Sequence, residues 1–88
     1  MKKDDGFENL KTLFAADLKE KIQILQAALR DANWDGVNLI SHQISGTAKS
    51  FGYPEISRFA AELEHLADEK SLDRSMGLVK KISDLIVL

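Results

Sequence analysis

From Phe7 to Leu29 the chain places an apolar residue at every third or fourth position: Phe7, Leu10, Phe14, Leu18, Ile22, Leu25 and Leu29. At about 100° per residue, that spacing gathers them into one stripe along a helix. No proline interrupts the run. Lys11, Asp17, Lys19, Glu20 and Lys21 fall on the outer face, where Asp17 and Lys21 form a favourable i, i+4 pair. Asp5, followed three residues later by Glu8, reads as a capping box that opens this helix. A helix over about 6–31 is expected, and its single apolar side needs other helices to cover it.

The remaining chain supplies three. Asp31-Ala32-Asn33 is a polar break in which Asn33 or Asp31 can cap the next helix. Trp34 follows, as a partly buried staple over the end of the first helix. A second helix over about 34–51 ends at Gly52, which suits the left-handed C′ position. Pro54 opens a third over about 54–69, with Ile56, Phe59, Ala60, Leu63, Leu66 and Ala67 as its buried stripe. Ser71 can cap a fourth over about 72–87, whose stripe reads Leu72, Met76, Val79, Ile82 or Ser83, and Ile86. Short connections between amphipathic helices favour antiparallel neighbours, so the expected fold is all-α, an up-down-up-down four-helix bundle spanning residues 1–88 as one domain.

Composition removes several classes of function. With no cysteine, neither a disulfide framework nor a thiolate metal site is available. Twelve basic and fourteen acidic residues are interspersed, and no basic stripe suggests a nucleic-acid partner. No stretch approaches the ~20 apolar residues of a membrane span, and the Met1-Lys2-Lys3-Asp4-Asp5 start lacks the apolar run of a signal peptide. A cytoplasmic monomer without membrane contact is expected.

The second helix carries the feature that asks for a function. Val37, Ile40, Ile44, Ala48 and Phe51 share a stripe roughly 80° wide, and His42 lies about 180° from its centre. Gly46 and Lys49 fall within about 40° of His42, and Leu39 about 60° away. A mid-helix glycine costs ~1 kcal/mol against alanine. Its benefit here is space, one turn from the imidazole, for something to approach. An exposed neutral histidine can act as a nucleophile through its unprotonated nitrogen, and a lysine leaning back along the helix can steady charge on a transferring phosphoryl group. No glycine-rich phosphate loop, carboxylate cluster or metal-ligand spacing accompanies it, so a partner must complete the chemistry. His65 reads as a structural edge residue, and Lys80-Lys81 as a solvated face.

The stretch from Ile40 to Pro54 resembles the signature of histidine phosphotransfer domains, the four-helix modules of bacterial-type phosphorelays. The residues that carry the likeness are His42, Ile44, Gly46, Thr47-Ala48 and Phe51-Gly52, supported by the Asp/Asn turn, the Pro-led third helix and Leu63-Glu64. The resemblance implies that His42 is the phosphoacceptor, that Gly46 gives steric access, and that Glu64 hydrogen-bonds His42. It implies a partner face of Leu39, Gln43, Ser45, Gly46 and Lys49, docking the receiver domain of a response regulator, with a sensor histidine kinase as a further partner. It implies no cofactor in this domain, with Mg2+ on the receiver, and no autonomous kinase activity. Many members carry lysine three residues after the histidine, where this chain has Ser45; Lys49 is expected to take over its electrostatic role. Two alternatives stay open: the phosphoacceptor segment of a histidine kinase, and a helical adaptor that is not phosphorylated.

Overall fold

The computed structural model describes the backbone of residues 2–86 and the side chains of residues 12–86. Four helices account for nearly all of it: α1 (Lys2–Arg30), α2 (Trp34–Ser50), α3 (Pro54–Glu69) and α4 (Leu72–Ile86). The expected starts of α2, α3 and α4 are met. The start of α1 is not, because the helix already runs at Lys2 and Asp5 lies inside its first turns. Nothing in Lys2-Lys3-Asp4-Asp5 breaks a helix, and acidic residues near an N-terminus suit the helix dipole. The capping-box pattern therefore occurs within the helix and does not open it. The stripe positions Phe7 and Leu10 and outer-face Lys11 have side chains outside the described residues, and the expected end of α4 at about 87 also lies outside them.

Each reversal has a local cause. Asn33 caps α2, its Oδ1 accepting the Gly36 N–H at 3.1 Å, while Ala32 takes a left-handed φ of 54°. Gly52 takes φ 82° after α2, and the Tyr53 N–H closes the turn on the Ala48 carbonyl at 2.9 Å. Pro54 then occupies the first turn of α3. After α3 it is Lys70 that turns left-handed, at φ 55°, and the Ser71 N–H returns to the Leu66 carbonyl at 3.2 Å. Lysine in that region is uncommon, and no residue type in the sequence announced it.

The core is a continuous set of Leu18, Ile22 and Leu25 from α1, Val37, Ile44 and Ala48 from α2, Ile56, Ala60 and Leu63 from α3, and Val79 and Ile82 from α4. Each helix packs on its sequence neighbours, and α4 returns to α1 to close the ring. Phe14 lies against Phe51 (ring centroids 4.9 Å apart) and Tyr53 (5.2 Å), tying α1 to the α2–α3 turn. Ser57 bonds back to Ser45, and Asn38 to Glu64, a reversed pairing along α2 and α3. These contacts fit an up-down-up-down order. α1 spans about 44 Å at 1.5 Å per residue, matching the 47 Å long axis of a body 19 Å across.

The stripe of α4 differs from its expected one. Ser75, Leu78, Val79, Ile82 and Ile86 face the core, whereas Leu72 and Met76 are 42% and 56% exposed. Rotating the helix this way buries Leu78 and the small Ser75 together. Trp34 is half-buried on the core, as a staple would be.

Candidate functional site

On α2, the side that faces the core is made by Val37, Ser41, Ile44 and Ala48. That leaves His42 on the opposite side, with 73% of its side chain exposed. Leu39, Gln43, Gly46 and Lys49 are exposed with it. A Cβ added at Gly46 would meet no atom within 4 Å. Packing inside the fold therefore does not require glycine there, and the space before it opens outward.

The imidazole is held from α3. Its Nδ1 lies 3.2 Å from Glu64 Oε2 and 3.4 Å from Oε1. An ionised carboxylate can only accept a hydrogen bond. In the neutral ring the proton therefore sits on Nδ1, donated to Glu64, and the lone pair sits on Nε2. This is the pairing that the resemblance implied for Glu64.

Two polar contacts flank this pair and brace α2 on α3. Asn38, one turn before His42, donates through Nδ2 to the Glu64 carbonyl at 3.1 Å and to Asp68 Oδ1 at 3.3 Å. Beyond His42, the Ser57 hydroxyl donates to the Ser45 carbonyl at 2.9 Å, with the two hydroxyls 3.3 Å apart. Ser45 is half-buried and turned to α3, so it does not share the open face with Gln43 and Gly46. Asn38 and Ser57 escaped the reading of the sequence. Their signal was faint: Asn38 and Ser45 stand two turns apart on α2, as Ser57 and Glu64 do on α3.

On the other flank of α2, a shallow hollow is walled by His42, Gln43, Gly46, Thr47, Ser50 and Phe51, together with Lys21 of α1. Lys21 Nζ sits 2.7 Å from Asp17 Oδ2, the i, i+4 pair read from the sequence. Lys49 is exposed and outside that wall. His65 lies on the wet side of α3, its Nε2 3.4 Å from Glu69, which Arg74 approaches at 3.7 Å. Lys80 pairs with Asp84 at 3.7 Å, and Lys81 covers the Phe59 ring. Among the described residues no three His, Cys, Asp or Glu side chains gather closely enough to hold a metal ion. No described helix is long and apolar enough to cross a membrane.

Of the two exposed histidines that meet a carboxylate, His42 alone is held from a neighbouring helix and borders the hollow at Gly46, the arrangement of a side chain presented to a partner. The family model for the Hpt domain matches residues 9–87, and the chain belongs to that family. Comparison with curated proteins and with solved structures gave no match. Hpt domains are phosphotransfer modules of two-component systems that work with the receiver domains of response regulators, and this is the functional class of the chain.

Proposed function

We propose that His42 takes a phosphoryl group from the aspartyl phosphate of a receiver domain and returns it to such an aspartate. The observation that carries this is the Nδ1–Glu64 contact on an otherwise exposed ring. The Nε2 lone pair attacks phosphorus and forms the N–P bond. The acyl P–O bond breaks, and its electron pair leaves with the receiver carboxylate. Nδ1 keeps its proton throughout, and Glu64 balances the positive charge that the phosphorylated ring acquires. Mg2+ on the receiver supplies charge neutralisation on the partner's side. The chain provides the nucleophile and its orientation, and contributes no ATP chemistry of its own.

Leu39, Gln43 and Gly46 form the contact face, and Lys49 adds positive potential towards an acidic receiver site. Ser45 contributes by fixing the α2–α3 seam through Ser57. The domain acts as a cytoplasmic monomer.

The test loads the purified chain from a receiver charged with acetyl phosphate and maps the label. The expected product is one phosphate per chain, acid-labile and alkali-stable as a phosphoramidate is, absent in His42→Gln and retained in His65→Gln. Label that persists in His42→Gln overturns the assignment.

A further inference from the structure

A phosphoryl group on Nε2 brings nearly two negative charges to the surface of α2. Ser45, three residues after the histidine, has neither the charge nor the reach to neutralise them. Its hydroxyl is engaged at the α2–α3 seam, on the flank to which Nδ1 is turned. Away from that contact, His42 lines the hollow that also takes in Lys21 of α1.

We propose that Lys21 of α1 is the ammonium that neutralises the phosphoryl group on His42, a role that rests on the phosphotransfer reading above. Lys21 shares the wall of the hollow with His42 and Gly46. Only 23% of its side chain is exposed, so its position is restricted before any partner arrives. An ammonium has three N–H donors, and Asp17 takes one of them at 2.7 Å. The remaining donors are available to phosphoryl oxygens, while Asp17 keeps the charge compensated when the ring is bare. Lys49 is exposed and outside that hollow, where water and salt weaken its charge.

The same arrangement gives Gly46 a second purpose. A side chain there would enter the hollow that Lys21 and His42 also line, since its notional Cβ meets open space. Space at Gly46 serves the cation as well as the incoming partner.

Phosphoramidate tests this without a receiver. Its P–N bond breaks, ammonia leaves, and the Nε2–P bond forms, so only the chain's own groups act. The readouts are the loading rate of His42 and the 31P titration of the N-phosphoryl group. Lys21→Ala is expected to load about tenfold more slowly, the effect of one lost hydrogen bond to a charged group. Its 31P titration is expected to move to higher pH, since an unneutralised dianion holds its proton more tightly. Lys21→Arg should recover most of the rate, and Lys19→Ala, on the outer face of the same helix, should behave as the parent chain. If the parent loads and Lys21→Ala matches it in rate and titration, the role of Lys21 is refuted while the phosphotransfer reading stands. A loss confined to Lys49→Ala also refutes it. A parent chain that never loads at His42, from either donor, defeats the phosphotransfer reading itself.

Discussion

The contribution of Glu64 can be isolated because its main chain and side chain have separate tasks. Its carbonyl accepts from Asn38, and its carboxylate meets His42. Glu64→Ala removes the second task and leaves the first. Hydrogen bonds to charged groups contribute about 1.5–3 kcal/mol when well formed, at heavy-atom distances near 2.7–2.9 Å. Here the separations are 3.2 and 3.4 Å, and most of the histidine is in water, which places the effect at or below that lower bound. A loss of about 1–1.5 kcal/mol corresponds to a roughly five- to tenfold slower loading of His42. Glu64→Gln keeps an acceptor oxygen without the charge and should lose only about two- to threefold. Stability should fall by less than about 1 kcal/mol in both, because the seam through Asn38 persists. The assay is single-turnover loading by phosphoramidate, with long-range 1H–15N correlation reading the ring tautomer. The Nδ1–H form should dominate in the parent chain and lose its excess in Glu64→Ala. Parental loading and parental tautomer populations in Glu64→Ala would show that the carboxylate only lies nearby.

Gly46→Gln should slow transfer from a charged receiver without lowering the melting temperature, since its Cβ enters open space and the helix gains propensity; unchanged transfer would remove the access role. Ser75 and Ser57 should respond differently to alanine, as urea unfolding can measure. The Ser75 hydroxyl is fully buried with no hydrogen-bond partner among the described residues, so Ser75→Ala should leave stability unchanged or raise it by up to about 1 kcal/mol. Ser57→Ala loses a 2.9 Å bond to Ser45 and should cost about 0.5–1.5 kcal/mol. Equal losses in the two variants would contradict that difference in bonding.

What the sequence made legible follows from the range of each signal. The three-four spacing of Leu18, Ile22 and Leu25, or of Ile56, Ala60 and Leu63, is local to one helix and leads directly to the core. Gly52 and Pro54 punctuate by their own backbone chemistry, so α3 begins where expected. On α4 hydrophobicity misled, because Leu72 and Met76 outrank Ser75 on any scale, yet the helix rotation that buries Leu78 buries Ser75 with it. His42 and Gly46 were readable together because one helix carries both. Lys21, Asn38 and Ser57 join them through the registers of α1 on α2 and of α2 on α3, which depend on all the side chains between those helices. Glu64 emerged only through resemblance, for the same reason.

The exposure of the His42 ring, 73% in solvent, also bears on time. On the proposed reading, a phosphoryl group carried there remains open to water on one side from loading to discharge, so its survival is a race between hydrolysis and the next partner. Protein pairs meet at about 10^5–10^7 M⁻¹ s⁻¹, so a receiver at ~1 μM arrives roughly every 0.1 to 10 s. If receivers unload the domain as proposed, the persistence of a message passing through it depends on their abundance, and scarcity of receivers spends the phosphoryl group on water.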